Sequence, residues 1–255
     1  MTTELGGRRI VITGAATGIG LAAVREIAKQ GAQVAAVYHN SPPPPDLADA
    51  ATWLRCDLTD KASVDAAFAA IAGQFGGIDV LLHAAGLWAP GTPEGITEAE
   101  LNTLVGVNLN ATVFANQAAF AWMRDSGGAI VNLGSVEGVT GSPVSVHYAV
   151  AKAAVHAWTR SAARAWAPAG VTVNAVAPCV DTTNADRLRE FYGGGDGDGD
   201  EIVRARMKAL IPLGGTFGDA ERDLCPVLVF LSGPGARFIT GQLIAVDGGM
   251  RMLGA

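Results

Sequence analysis

Short apolar segments alternate with helical stretches along almost the whole chain, and this alternation most constrains the fold. The apolar segments are hydrophobic at consecutive positions, which is typical of parallel strands covered on both faces. Strands separated by helices form βαβ units with right-handed crossovers. The pattern predicts strands at residues 10–13, 33–38, 52–58, 79–83, 129–133, 171–177 and 243–246, and helices at residues 19–30, 63–75, 97–125, 148–166 and 219–231.

The pattern continues without a linker, so residues 1–255 are predicted to form a single α/β domain. We expect a doubly wound, seven-stranded parallel sheet with helices on both faces. The four prolines at positions 42–45 leave little room for a helix between strands two and three. That crossover is therefore predicted to be abbreviated.

Composition limits the classes of function that the chain can have. It has 18 Lys and Arg against 24 Asp and Glu, and this net charge of −6 argues against nucleic-acid binding. The low-charge run at residues 10–24 is shorter than the roughly 20 apolar residues of a membrane span. The three cysteines, Cys56, Cys179 and Cys225, are far apart, which predicts neither a disulfide framework nor a zinc site. A reducing, cytoplasmic location follows as an expectation.

A glycine-rich turn joins the first predicted strand to the first predicted helix. From Thr13 to Gly20 the chain has the sequence TGAATGIG. Glycines allow a close backbone approach to a ligand, and the N–H groups at the start of the helix attract a pyrophosphate. The turn therefore predicts a dinucleotide site, although a tight βα turn that binds nothing would carry the same pattern.

A tyrosine and a lysine, Tyr148 and Lys152, stand four positions apart at the start of a predicted helix. Residues at this spacing share one helix face, and an ammonium group near a phenol lowers the phenol's pKa. A phenol tuned in this way is a usable general acid or base. The pair alone is weak support, because the same spacing is common in helices that have no function.

Together the turn and the pair resemble the short-chain dehydrogenase/reductase family, in particular its 3-oxoacyl-reductase-like members, over nearly the whole chain. The resemblance implies a Rossmann-type domain with the catalytic residues Asn108, Ser135, Tyr148 and Lys152. The residues from Val246 to Gly249 also match a C-terminal signature of the family. The resemblance implies cofactor contacts from Gly14, Thr17, Gly18, Ile19, Gly20, Tyr38, His39, Asn40, Asp57, Leu58, Ala85, Gly86, Tyr148, Lys152, Pro178, Val180 and Thr182.

The same resemblance implies the reaction of an NAD(P)(H)-dependent carbonyl reductase or secondary alcohol dehydrogenase. Ser135 would donate a hydrogen bond to the substrate oxygen, and Tyr148 would act as general acid or base. Lys152 would keep the pKa of Tyr148 low, and Asn108 would anchor a water that relays protons. The cofactor would transfer the hydride.

The chain departs from the family pattern at two places. The Asn-Asn-Ala-Gly segment of the family is His83-Ala84-Ala85-Gly86 here, and Ala84 lacks the amide that ties the central sheet together. We expect His83 to be structural because it matches no catalytic position. The family's Pro-Gly pair is Pro178-Cys179, and the added side chain would narrow the pocket.

The end of the second predicted strand decides the cofactor preference. Relatives that prefer NAD carry an acid there, which repels a 2′-phosphate, but this chain has Tyr38, His39 and Asn40. This favours NADP(H). NAD(H) stays an alternative, because no Arg or Lys stands at either position where the family commonly carries one.

The substrate pocket is predicted from the loops after strands four, five and six. Its candidate residues are mostly apolar with one carboxylate, which suits a medium-sized ketone or secondary alcohol: Trp88, Glu137, Ser142, Val144 and Cys179. Residues 183–215 are predicted to cover the substrate, with the Gly/Asp-rich run at 193–200 as a hinge. That run lacks the Gly and Glu positions of a calcium loop, so no metal site is expected.

Two other functions stay open. The first is an NAD-linked dehydrogenase of a cyclic alcohol or a sugar, and the second is a non-catalytic nucleotide-binding or scaffold protein. The resemblance further implies a homo-oligomer, a tetramer or a dimer, that acts on a small-molecule ketone or alcohol. Neither a membrane nor a nucleic acid is expected as a partner.

Overall fold

A computed structural model describes residues 5–193 and 199–251 of the chain. One sheet contains seven parallel strands in the order β3-β2-β1-β4-β5-β6-β7. The strands are β1 Arg9–Thr13, β2 Gln33–Tyr38, β3 Thr52–Arg55, β4 Val80–His83, β5 Gly128–Leu133, β6 Val171–Pro178 and β7 Leu243–Val246. The predicted doubly wound parallel sheet is therefore confirmed, and its strand order reverses between β1 and β4.

Helices cover both faces of this sheet. They are α1 Gly18–Lys29, α2 Lys61–Phe75, α3 Glu98–Val105, α4 Ala111–Met123, α5 Glu137–Thr140, α6 Val146–Trp166, α7 Thr183–Gly193, α8 Gly199–Leu210 and α9 Cys225–Ser232. Alternate residues of β1 enter two separate apolar clusters: Ile10 and Ile12 pack with residues of α1 and α9, whereas Val11 packs with residues of α2 and α4. Each face thus has its own core, as the hydrophobic strands require.

The third strand is shorter than predicted, and the crossover before it is as short as predicted. The third strand ends at Arg55 instead of residue 58, because Asp57 turns the chain by accepting hydrogen bonds from the backbone N–H and hydroxyl of Thr59. Between β2 and β3 only a 3₁₀ turn, Pro45–Leu47, forms, which confirms the abbreviated crossover.

The predicted helix over residues 97–125 is interrupted by a π turn at Gly106–Asn110 and ends near Met123. The side chain of Asn108 donates a hydrogen bond to the carbonyl of Leu104 at 3.0 Å. This bond replaces the backbone bond that a regular helix would make at that carbonyl, which accounts for the wider turn. The start of the predicted helix over residues 219–231 is likewise a π turn, Ala220–Leu224.

A buried polar network joins β5 to the two helices that pack on it. The amides of Asn132 and Asn116 exchange hydrogen bonds of 2.8 and 3.0 Å. Asn132 also donates to the hydroxyl of Thr159, and the Trp158 indole donates to Asn116. Because each buried polar group needs a partner, this network fixes α4 and α6 against the strand that leads to Ser135.

His83 lies buried at the end of β4, where its Nδ1 is 2.8 Å from the hydroxyl of Thr13 on β1. Burial and the charge of Lys152 lower the pKa of His83 to about 3, so the ring is neutral. This geometry agrees with the predicted structural role. The same hydrogen bond links the central strands β1 and β4 through their side chains, next to Ala84, which lacks a side-chain amide.

Candidate active site

The carboxyl ends of β1, β4, β5 and β6 open into one cavity of about 480 Å³. Most of the predicted site residues line it together: Gly14, Thr17, Gly18, Ile19, Ala85, Gly86, Ser135, Tyr148, Lys152, Pro178, Val180 and Thr182, with the predicted substrate residues Trp88, Glu137, Ser142, Val144 and Cys179. The other predicted residues are not among those that line this cavity: Gly20, Tyr38, His39, Asn40, Asp57, Leu58 and Asn108.

Two glycines of the glycine-rich turn are required because the protein's own backbone packs closely against them. Gly14 has φ +64° and a Cβ there would lie 2.7 Å from the backbone nitrogen of Ala85. A Cβ on Gly20 would overlap the carbonyl oxygen of Gly14, so Gly20 supports the turn from behind instead of lining the cavity. Thr17 precedes α1 and accepts no capping bond with its side chain from the described residues, which leaves the first helical N–H groups for a ligand.

A polar cluster lines one part of the cavity and consists of Ser135, Tyr148 and Lys152. The Lys152 ammonium lies 5.6 Å from the centre of the Tyr148 ring and donates to the carbonyl of Leu133 at 2.8 Å. Ser135 follows β5, and its Oγ accepts a hydrogen bond from the backbone N–H of Glu137 at 3.1 Å. Helix α6 and the end of β5 thus bring together the three groups that sequence spacing had predicted.

Burial controls the pKa of both titratable groups in this cluster. Burial lowers the pKa of the Lys152 ammonium to about 8. Burial and the charge of Glu137 raise the pKa of the Tyr148 phenol above its ordinary value, although the Ser135 hydroxyl lowers it. The direction of this pKa shift is opposite to the sequence prediction for Tyr148, because loss of solvent is its largest cause.

Asn108 lies behind the cavity instead of in its lining. Its amide nitrogen donates to the carbonyl of Leu87 at 2.9 Å, and its oxygen accepts from the backbone N–H of Leu87 at 3.1 Å. Both amide hydrogens are used, since the second bonds the carbonyl of Leu104. In this geometry Asn108 holds the loop after β4 in place, and the predicted proton relay through it stays a prediction.

Glu137 carries a buried carboxylate at the substrate end. Its Oε2 atom has no hydrogen-bond partner among the described residues. Burial raises the pKa of this carboxyl to about 7, against the smaller lowering effects of Trp88, Arg206 and Ser142. Burial and the charge of Asp247 raise the pKa of the Cys179 thiol to about 12, which disfavours the nucleophilic thiolate.

The remaining predicted cofactor residues lie at the carboxyl ends of β2 and β3, apart from the main cavity. Asp57 accepts two hydrogen bonds from Thr59, and these lower the pKa of its carboxyl. Sequence reasoning missed Arg55, whose Nε donates to the carbonyl of His39 at 3.0 Å. The parallel register pairs Tyr38 with Arg55, so only the strand pairing could have revealed this arginine.

Helices α7 and α8 line the cavity together. They supply most of the lining that sequence reasoning missed: Ala185, Arg187, Leu188, Tyr192, Arg206, Met207 and Leu210. Others come from α5 and the loops, namely Thr140, Pro143, Phe217, Met250 and Arg251. The amphipathic spacing of Val203, Met207 and Leu210 was the available signal. Most of the predicted hinge, residues 194–198, lies outside the described residues.

The described part of the chain offers neither a cluster of metal ligands nor a membrane-spanning helix. No group of three or more His, Cys, Asp or Glu side chains there converges as metal ligands would. Within the same residues, every helix is too short or too polar to cross a membrane.

The fold and the site define a Rossmann-type dinucleotide-binding protein with a Ser-Tyr-Lys cluster beside the dinucleotide cradle. A family profile described as enoyl-(acyl carrier protein) reductase matches residues 14–251. The chain is 36% identical over 251 residues to cis-4-hydroxycyclohexanecarboxylate dehydrogenase of Sinomonas cyclohexanicum, with 95% of this chain and 96% of that protein covered. It is 33% identical over 256 residues to the 3-oxoacyl-acyl-carrier-protein reductase FabG of Vibrio cholerae, with 98% and 100% covered.

A solved structure has the same fold over the full length. Aldohexose dehydrogenase of Thermoplasma acidophilum, in its ligand-free form, matches with a TM-score of 0.88 and 27% identity, covering 100% of this chain and 99% of that chain. The chain therefore belongs to the short-chain dehydrogenase/reductase family, as the sequence motifs indicated. It is an NAD(P)-dependent oxidoreductase that acts on CH–OH or C=O groups.

The carboxyl of Glu137 should make stability depend on pH. Its pKa is 4.5 ordinarily and about 7 in the folded protein, so the folded state favours the acid form. The resulting stabilisation is present below pH 4.5 and is lost as the pH rises through 7. The difference in free energy of unfolding between Glu137→Gln and wild type should therefore change in favour of the variant by up to about 3 kcal/mol as the pH rises from 4.5 to 7.

Urea unfolding at several pH values measures this gain. Glu94→Gln changes an exposed carboxylate in the same way and should follow the wild-type curve. If the free energy of unfolding of Glu137→Gln differed from that of wild type by the same amount at every pH, Glu137 would not favour the acid form in the folded protein.

Proposed function

We propose that the protein is an NADP(H)-dependent carbonyl reductase, which also oxidises the corresponding secondary alcohol. The observation that carries this proposal is the convergence of Ser135, Tyr148 and Lys152 in the same cavity as the glycine-rich turn. A scaffold protein without turnover has no use for such a cluster, because function follows from the site and not from the fold.

The chain's own residues would hold the cofactor and move the proton. Gly14, Gly18 and the start of α1 would bind the pyrophosphate, while Thr182 and Lys152 would hold the nicotinamide end. When bound, the nicotinamide supplies or accepts the hydride. Tyr148 would donate its phenolic proton to the substrate oxygen, which Ser135 orients by a hydrogen bond.

The raised pKa of Tyr148 supports the reductive direction. A phenol whose pKa lies above its ordinary value stays protonated at neutral pH and is ready to donate. Lys152 lies against its ring, and this ammonium stabilises the phenolate that remains after the proton has left. Alcohol oxidation would need that phenolate first and would therefore be favoured at high pH.

Tyr148→Phe tests the assignment of the proton donor. It removes the hydroxyl and keeps the ring, so we expect turnover of a ketone to fall by roughly 100-fold or more. NADPH affinity, measured by nicotinamide fluorescence, should change little. Turnover near the wild-type rate in this variant would contradict the proposed role.

Arg55 supports the preference for NADP(H). It places a cation at the carboxyl ends of β2 and β3, where the 2′ position of the adenine ribose is recognised, and one of its N–H groups is already fixed by His39. The guanidinium keeps further N–H groups that match a phosphate. We propose that Arg55 provides the positive charge that the usual family positions lack.

Arg55→Met should weaken NADPH binding by roughly 10- to 100-fold and leave NADH binding almost unchanged, because a charged phosphate contact is lost. Fluorescence titration with both cofactors measures the two affinities. Arg164→Met removes an exposed arginine from α6 and is the matched control. Equal losses for NADPH and NADH would mean that Arg55 only supports the loop at His39.

An NAD-linked dehydrogenase of a cyclic alcohol or a sugar is the second candidate. Two similar proteins favour it, since one is named for cis-4-hydroxycyclohexanecarboxylate and the other for aldohexoses. The FabG relative, named for 3-oxoacyl-acyl-carrier-protein reduction, favours the first candidate. Tighter binding of NADH than NADPH to the wild-type protein would select the dehydrogenase.

We further propose that residues 183–215 cover the bound substrate, and that the protein is a cytoplasmic homo-oligomer, a tetramer or a dimer. The free thiols of Cys56, Cys179 and Cys225 support a reducing compartment. Ala111, Ala115, Ala118 and Ala119 pack in the protein's own interior, so they do not offer an interface. Val150, Ala153 and Ala157 of α6 are exposed and support helix packing between subunits.

A further inference from the structure

The cavity carries more positive charge than the proposed proton transfer uses. Its described lining contains four cations, Lys152, Arg187, Arg206 and Arg251, against the single carboxylate of Glu137. Lys152 belongs to the proton-transfer cluster. Arg187 and Arg206 lie on α7 and α8, the two helices that line the cavity together.

Neither of these two arginines is neutralised by the described residues. No carboxylate oxygen there lies within 4.0 Å of either guanidinium group. Arg187 donates to the carbonyl of Trp88 at 3.3 Å, and the Arg206 guanidinium lies 5.2 Å from the centre of the Tyr192 ring. By contrast, Arg189 on the same pair of helices contacts three aspartates.

Arg206 belongs to the lining of the cavity, and its side chain is also exposed to solvent. Its charge lowers the pKa of the Glu137 carboxyl, yet the two side chains form no ion pair within 4.0 Å among the described contacts. The buried Oε2 atom of Glu137 also has no described partner. This end of the cavity therefore holds a guanidinium without a described carboxylate partner and a buried carboxyl oxygen that a polar ligand would satisfy.

We propose that Arg206, assisted by Arg187, binds a carboxylate of the substrate, so that the substrate is an oxo acid or a hydroxy acid. This inference rests on the proposed function. The planar guanidinium matches a carboxylate through two parallel hydrogen bonds. The reacting carbonyl would then lie at Ser135 and Tyr148, with the carboxylate at the α7–α8 side of the cavity. Burial favours the acid form of Glu137, and in that form its unpaired oxygen would donate a hydrogen bond to the anion.

Paired ketones that differ only in the far group test the proposal. Suitable pairs are 4-oxocyclohexanecarboxylate with its methyl ester, and 4-oxopentanoate with its amide. Arg206→Met should lower kcat/KM for each acid by roughly 10- to 100-fold, because one charged contact is lost. The neutral partner of each pair should change less than about twofold.

Arg204→Met is the matched control, because Arg204 is exposed on the same helix and lies outside the described lining. It should leave both members of each pair at their wild-type values. Equal losses for acid and neutral ketone in Arg206→Met would overturn the proposal. The proposal would also be overturned if Arg206→Met lowered NADPH affinity as much as it lowered kcat/KM for the acid, because Arg206 would then bind the cofactor's phosphates.

A binding measurement separates this inference from the proposed function. Cyclohexanecarboxylate carries the anion but no carbonyl, and calorimetry should show that it binds to wild type and to Arg204→Met but at least about tenfold more weakly to Arg206→Met. Turnover of neutral ketones without any preference for the acids would refute the anion site and keep the reductase. Arg206-dependent binding of the carboxylate without turnover of any ketone would refute the reductase and keep the anion site.

Discussion

The pairing of β1 with β4 is the constraint on which the site depends. Because β2 and β3 extend the sheet on one side of this pair and β5, β6 and β7 on the other, crossovers leave the two strands in opposite directions. A crevice remains at their carboxyl ends, where neither crossover covers the sheet. The glycine-rich turn after β1 and the Ala85–Gly86 loop after β4 form its two walls. The hydrogen bond between Thr13 and His83 fixes the same pair of strands from within.

Loss of solvent sets the electrostatics of this crevice. Burial is the first cause of the shifted pKa values of His83, Glu137, Tyr148 and Lys152. Each shift favours the neutral form of its group, but with a pKa of about 8 the Lys152 ammonium stays mostly charged at neutral pH. The arginines of α7 and α8 keep their charge at every pH of interest. The cavity thus combines groups whose charge depends on pH with guanidinium groups whose charge does not.

The sequence was sufficient for those features that are read from local pattern. Hydrophobic runs predicted all seven strands, and the two motifs that spacing singled out, the Thr13–Gly20 turn and the Tyr148–Lys152 pair, contribute residues to one cavity. The features that could not be predicted from the sequence depend on tertiary contacts. Arg55 reaches His39 only through strand pairing, and Arg206 lines the same cavity as Glu137 only because α8 packs beside that cavity. The direction of the Tyr148 shift also required burial, which no spacing reveals.

Hydride transfer in this cavity can be measured directly by isotope transfer. The wild-type protein would be incubated with NADPH carrying deuterium at both C4 positions of the nicotinamide and with a small panel of ketones, and the alcohols would be analysed by mass spectrometry and NMR. We expect one deuterium on the carbinol carbon, delivered to a single face of the ketone. Bound NADPH without any deuterium in the alcohols, across acidic and neutral ketones alike, would contradict hydride transfer in this cavity.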